Sequence, residues 1–429
     1  MNIINSIKNF LITYVDLIFL SIYFFSLPIA HATSIQSISL GFFIIVFLIR
    51  NYRNLHIKSI LFYKNILIVF SVLLILSILS LLFTPDIKES LKEIKSELIR
   101  SFIVMAIFFL YTILNDKKRI KYILYIIASV LLLHTFINIF IWYTHNTWPY
   151  RAGGLLDSGG GERFGIWATY AFAMSIAFLF SKYKFYVLPF IALSIVSIVA
   201  NNTRATFIAL ILILFVYFLL FYKNRLIKYI ITFSIIFSLL GFIVYSQNFP
   251  TRFNAYKVIN TIKHLKDYSP SQYQTLEKKY KLGHSTVSRL AMWDSIILYR
   301  TQEPFIPKGY GRFLYKKSIT ETWQNRPENI PYRLYAQAHN EYLGTLYSLG
   351  ILGLLAFLYF LYFNLKISYK TLKYSENTIF KIFGTFMFLG TIGFIVSLIF
   401  GSFFGDSEAK FFYPLYGILL GIYLKEKQT

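Results

Sequence analysis

Twelve apolar runs alternate with polar connections along the chain, at about 10–31, 35–49, 65–83, 99–115, 121–143, 165–181, 184–200, 205–222, 227–246, 341–365, 379–401 and 409–425. A helix crosses the hydrocarbon of a bilayer in roughly 20 mostly apolar residues, so the pattern predicts about twelve transmembrane helices; the second, sixth and seventh runs are shorter than the rest. The connection 247–338, 92 residues long, separates spans 9 and 10. Its apolar residues return at helical spacing, first Val258, Ile259, Ile262 and Leu265, then Leu290, Met292, Trp293, Ile296, Ile297 and Leu298, which predicts a small helical subdomain capping the bundle. The prolines and tyrosines between Pro304 and Tyr335 predict irregular loop structure there. The chain therefore divides into 1–246 with spans 1–9, 247–338 as the loop subdomain, and 339–429 with spans 10–12. A smaller signal sits before the fourth span, where Ile87, Leu91, Ile94 and Leu98 predict either an amphipathic helix on the interface or a solvated linker helix.

Composition agrees with this class. The 429 residues are 56% hydrophobic and only 14% charged, too little polar surface to cover a soluble globule. The net charge of +24 is distributed as topology determinants are: Lys8, then Arg50, Arg53, Lys58 and Lys64, then Lys117, Lys118 and Arg119 fall in alternate connections, and the pattern continues to Lys425 and Lys427. That alternation argues against nucleic acid as a partner and places both termini in the cytoplasm, with 32–34, 84–98 and the long connection outside. The long connection holds fifteen Lys and Arg against six Asp and Glu, but loops of that length translocate regardless of charge. With no cysteine, disulfides, iron–sulfur clusters and thiolate zinc are excluded. The first apolar run lacks a small-residue cleavage site and reads as a span rather than a removed signal peptide.

Four outward places combine a basic side chain with a membrane-proximal position: Arg163 in GGGERFGIW, Arg204 in NNTRATFIAL, Arg289 in STVSRLAMWDS and His339 in AHNEYLG. Arg204 stands alone between two apolar spans on the side that the charge rule leaves poor in cations, and its bland reading is snorkelling to lipid phosphate. The bland reading of Arg289 is a charge on a solvated helix face, and Gly159 to Gly161 before Arg163 form either a flexible turn or a backbone nest. His339 opens the tenth span and is expected in its first turn, with Leu343, Leu346, Gly350 and Gly353 following at helical spacing; Gly350 and Gly353 would pack that helix against the bundle. There is no Walker loop, Rossmann fingerprint or His-Glu-x-x-His, and no histidine spacing that suits a metal, so neither metal nor other cofactor is expected. Guanidinium forks bind phosphate oxygens bidentately and stay charged, and a histidine takes a proton near neutral pH. Together they describe glycosyl transfer from a lipid diphosphate.

The segments TRATFIAL, SRLAMWDS with EPFIPKGYG, and AHNEYLGTLYSLGILGL resemble the O-antigen ligase family, especially its enterobacterial type, which transfers glycan to lipid A-core. The motif resemblance covers about 163–220 and 284–357, and the topology resembles that family over the whole chain. It implies a twelve-span protein of the bacterial inner membrane with its active site facing the periplasm. The donor implied is an undecaprenyl-diphosphate-linked glycan, and the acceptor is lipid A-core. The family's functional arginines fall on Arg204 and Arg289 and its histidine on His339, with Arg163 a looser correspondence. The implied chemistry is inverting and metal-independent: Arg204 and Arg289 grip the diphosphate, and His339 activates or orients the acceptor hydroxyl. Trp293, Trp323 and Tyr332 offer rings that can stack on sugars, although for Trp293 core packing is the favoured reading. The wider superfamily adds O-antigen polymerases and protein O-oligosaccharyltransferases as alternatives. A flippase, the rival of another class, would place ionisable groups at mid-membrane, whereas here Asp16 is the clearest charge within a span.

Overall fold

The apolar runs fold as helices, because only internally hydrogen-bonded helices or closed barrels satisfy the backbone in lipid. The computed structural model describes residues 2–54, 64–145, 151–156, 161–182, 184–221, 232, 234, 259, 262–281, 283–402 and 407–428. The helices are α1 (Asn2–Ser26), α2 (Thr33–Asn51), α3 (Lys64–Leu79), α4 (Ile87–Glu93), α5 (Arg100–Leu114), α6 (Lys117–Thr144), α7 (Gly161–Ala177), α8 (Leu188–Asn201) and α9 (Arg204–Phe221). After these come α10 (Tyr273–Tyr280), α11 (His284–Gln302), α12 (Tyr315–Thr322), α13 (Glu341–Tyr374), α14 (Thr378–Leu398) and α15 (Ser407–Gln428). Among the described residues eight helical stretches are long and apolar enough to cross a membrane, and two more apolar helices, Thr13–Ser26 and Leu188–Asn201, are shorter. The protein is thus all-α and multi-pass. The ninth apolar run, 227–246, lies outside the described residues apart from positions 232 and 234.

Polar caps set several helix starts. The side chains of Asp86, Asp116, Asn340 and Asn377 accept backbone N–H groups of α4, α6, α13 and α14, meeting donors that have no partner within the helix. The amphipathic stretch before the fourth span is not a separate interfacial helix. α4 runs through a π-helical turn, Ile94–Ile99, directly into α5. Ile94 and Leu98 are buried, while Ile87 and Leu91 remain about half exposed. Burying two of the four apolar positions against the bundle makes the stretch the entry to the span.

Close helix contact comes from glycine. A Cβ on Gly417 of α15 would lie 2.2 Å from the carbonyl oxygen of Met105, and one on Gly421 would lie 2.6 Å from Cβ of Thr112. Two glycines four residues apart thus form the seam that lets α15 lie against α5. α13 runs nine residues past its expected end, so Lys366, Lys370 and Lys373 ride on the helix itself, Lys373 over the Tyr369 ring.

The ends of the helices sort into two sets. At one end Asp16, 2% exposed, accepts Arg50 at 2.7 Å, Arg119 at 3.0 Å and the Tyr111 hydroxyl at 2.6 Å. The clearest charge within a span is therefore pinned among cations that the charge pattern assigns to the cytoplasmic side, not exposed at mid-membrane. Removing it leaves two guanidinium groups facing each other. Asp16→Ala is expected to cost about 3 kcal/mol, read as a lowered thermal midpoint in detergent; an unchanged midpoint would contradict this pinning. The other end carries the loop subdomain.

That subdomain has its own small cores. Tyr273 and Leu276 of α10 pack with Val287 and Ala291 of α11, and Met292, Ile296 and Tyr299 pack with Tyr315, Ile319 and Trp323. The region expected to be irregular contains α12, since Tyr315, Ser318 and Ile319 share one buried face. Trp323, 3% exposed and edge-on to Tyr299, is core and unavailable for sugars. Ile259 and Ile262 of the first expected helix are exposed, and Val258 lies outside the described residues.

Candidate functional site

Arg204 is the first residue of α9, and the turn before it is among the most tightly held in the molecule. Asn201, Asn202 and Thr203 are all buried, with Asn202 in the left-handed conformation that ends α8. The Asn201 amide donates to the carbonyls of Ala152 and Gly161, and its oxygen accepts the hydroxyls of Thr203 and Thr206. A Cβ on Gly165 would fall 2.1 Å from the Thr206 hydroxyl, so α7 touches this turn directly. From this platform Arg204, half-buried, donates through Nη2 to Thr286 Oγ1 of α11 at 3.4 Å.

α11 carries the next residue. Arg289, also half-buried, donates through Nη1 to the carbonyl of Phe400 at 3.2 Å, just past the end of α14. One turn further, Trp293 donates its indole N–H to the carbonyl of Ala338 at 3.0 Å, the residue before His339. Thr286, Arg289 and Trp293 are spaced i, i+3, i+7 and so share one stripe of the helix. At 1.5 Å per residue the stripe is about 10 Å long. Arg204, Arg289 and the turn bearing His339 are thereby brought along one side of a single helix.

His339 is not in the first turn of the tenth span as expected. Asn340 caps that helix, and His339 precedes the cap with φ 51°, a left-handed conformation that a non-glycine residue adopts at some cost. Its neighbours hold it there: Ala338 and Asn340 are buried, Asn340 Oδ1 accepts Leu343 N–H at 3.0 Å, and the Asn340 carbonyl accepts Gly344 N–H at 2.8 Å. The imidazole meets the Tyr335 ring edge-on at 5.2 Å between centroids.

The fourth candidate is placed differently. Arg163, in the first turn of α7, pairs through Nε with Glu408 Oε1 at 3.4 Å and donates through Nη2 to Ser407 Oγ at 2.8 Å. Glu408 is fully buried and also accepts the Trp167 indole at 3.2 Å. The Arg163 charge is thus met by a buried carboxylate of α15.

Several contributors lay outside the sequence reading. Arg300, buried at the far end of α11, donates to the carbonyls of Glu303, Ile306 and Tyr347 and lies over the Tyr299 ring. This ties α11 to α13 next to Gly350. That glycine interrupts α13 with φ 71°, and a Cβ there would stand 2.6 Å from the Phe305 carbonyl. Gly350 therefore packs the helix against the 304–305 loop rather than against another span. Glu341, the first residue of α13, lines a cleft with Tyr310 and Thr345, while Ile66, Phe70 and Phe360 line its apolar length. Burial, then the nearby carboxylates of Glu97, Glu341 and Glu93 together with the Tyr413 phenol, push the Tyr310 phenol well above its ordinary value, so it stays a neutral donor. Glu341 adjoins His339 and could have been noticed in the same motif; the cleft depends on tertiary packing.

The mouth of α11 carries a titratable clip. Glu277 of α10 accepts His284 Nδ1 at 2.9 Å and the Tyr332 hydroxyl at 2.9 Å, so the Tyr332 phenol is engaged within the subdomain. Burial alone would raise the carboxyl's pKa, but the His284 and Tyr332 hydrogen bonds and the charges of His284 and Arg333 outweigh it, and the pKa is lowered. A depressed carboxyl contributes stability that is present above its unfolded value and lost as pH falls through the folded one. With both partners partly exposed the contribution is below about 1 kcal/mol. The hydrogen-exchange protection factors at the start of α11, corrected for the intrinsic pH dependence of exchange, are expected to fall on going from neutral pH to below the usual carboxylate range, and Glu277→Gln should remove that fall. An unchanged pH dependence in Glu277→Gln would refute the clip.

A comparison with curated proteins returns no match. Residues 189–358, from the start of α8 into α13, match the model of the family described as O-antigen ligase; the matched segment contains Arg204, Arg289 and His339, and over it this chain is similar to the O-antigen ligase family.

Proposed function

We propose that the chain is a glycosyltransferase acting in O-antigen assembly, and specifically an O-antigen ligase moving glycan from undecaprenyl diphosphate to lipid A-core at the periplasmic face of the inner membrane. The observation that carries this reading is the single stripe of α11 along which Arg204, Arg289 and the His339 turn are gathered. Two guanidinium groups within about one or two helical turns suit a diphosphate, whose charge grows as it leaves. The acceptor hydroxyl oxygen attacks the anomeric carbon, the bond from that carbon to the diphosphate oxygen breaks, and configuration inverts. The acceptor proton passes to His339, and undecaprenyl diphosphate departs held by the arginines. Arg163, paired with Glu408, buttresses the α7–α15 contact rather than gripping the diphosphate.

The cleft beginning at Glu341 gives the hydrocarbon of the donor a place. Its lining follows α13 from Glu341 to Phe360 across the break at Gly350 and is mostly apolar. The energy of transfer resides in the lipid diphosphate, so no nucleotide is required. The test is reconstitution in liposomes with lipid-linked glycan and lipid A-core, in chelator and without nucleotide. Glycan on lipid A-core is the expected product. Lengthened lipid-linked chains instead would identify a polymerase, and movement of donor across the bilayer without any transfer would identify a transporter.

A further inference from the structure

Trp293 occupies an unusual place: its indole N–H is the contact by which α11, the helix of Arg289, holds the backbone next to His339. We propose that Trp293 is a positioning residue that registers His339 against the arginines, an inference that rests on the functional reading above. Three observations converge. The indole donates to the Ala338 carbonyl at 3.0 Å. His339, the next residue, has φ 51°, a conformation that persists only where neighbours over-determine it. Trp293 lies four residues after Arg289, one turn along the same stripe. On the far side Asn340 is fixed by the helix cap, so the histidine backbone is held from both flanks, once by its own helix and once by α11. A shift of the 338–339 peptide moves the imidazole relative to the guanidinium of Arg289 without touching either side chain, and misplacement near 1 Å costs roughly 10²-fold in rate.

Trp293→Phe separates this role from sugar stacking, since it keeps an aromatic ring while removing the N–H together with the pyrrole part of the indole; the thermal midpoint reports the lost packing. In the reconstituted assay kcat is expected to fall at least about 10-fold while donor KM stays within about two-fold. In a His339→Ala background Trp293→Phe is expected to add nothing, because it acts through the histidine. Thermal midpoints of both proteins are read alongside. A kcat within two-fold of wild type overturns the proposal, and so does an equal fall in the His339→Ala background. Loss in Trp293→Ala with full activity in Trp293→Phe would assign the ring to sugar stacking and also overturn it. If His339→Ala itself transfers at the wild-type rate, it is the functional reading that fails; if it does not and Trp293→Phe is unimpaired, only the positioning role fails.

Discussion

His339→Ala is expected to lower glycan transfer about 10²- to 10⁴-fold, the usual contribution of a positioned general base, with the thermal midpoint nearly unchanged. The small structural effect follows from where the residue sits. The turn is held by Ala338 and Asn340, through the Trp293 indole and the α13 cap, while the imidazole meets the Tyr335 ring edge-on. His339→Gln keeps a hydrogen-bonding group without an equivalent base and separates proton removal from orientation. Recovery by Gln to within about 10-fold of wild type would assign orientation. A deficit as deep as that of Ala would assign proton transfer. Initial rates in liposomes decide, and a wild-type rate in His339→Ala would remove the residue from the chemistry.

Arg289→Ala is expected to lower kcat/KM about 10²-fold, corresponding to roughly 2–3 kcal/mol for a lost charged hydrogen bond to the diphosphate. Its contact with the Phe400 carbonyl at 3.2 Å holds the side chain beside the end of α14. Arg204→Lys is the finer substitution: it preserves charge while losing the planar fork, and a fall of about 10-fold is expected. An arginine that merely snorkels to lipid phosphate would be replaced by lysine without loss, so an unimpaired Arg204→Lys would restore that reading. Both guanidiniums reach α11 or its neighbours from different helices, so the double alanine variant should lose more than either single one.

The class of fold was readable from hydropathy because every spanning helix must satisfy its own backbone, and eleven of the twelve apolar runs coincide with described helices. Boundaries were less readable. α4 and α5 fuse because Ile94 and Leu98 are buried by tertiary contact, and the hidden α12 is short enough that its three buried residues leave little periodic trace. The site divides similarly. Arg204, Arg289 and His339 were visible as basic residues at the mouths of apolar or helical segments, but nothing in their spacing along the chain says that α11 gathers them. The engagement of Arg163 by Glu408 crosses more than 240 residues, and the charge of Glu408 lies at the start of a run read simply as a span. His339 was placed inside the first turn because the apolar pattern begins at its side, whereas the Asn340 cap starts the helix after it.

The division of labour between arginines and histidine is tested most directly by binding of the lipid-diphosphate-linked donor, without acceptor, to purified wild type, His339→Ala and the Arg204→Ala/Arg289→Ala double variant. Donor affinity in His339→Ala is expected within about two-fold of wild type, and in the double variant at least about 10² weaker. Wild-type affinity in the double variant, or a loss in His339→Ala as large as that of the arginine pair, would contradict a diphosphate held along α11 by Arg204 and Arg289 with His339 reserved for the acceptor.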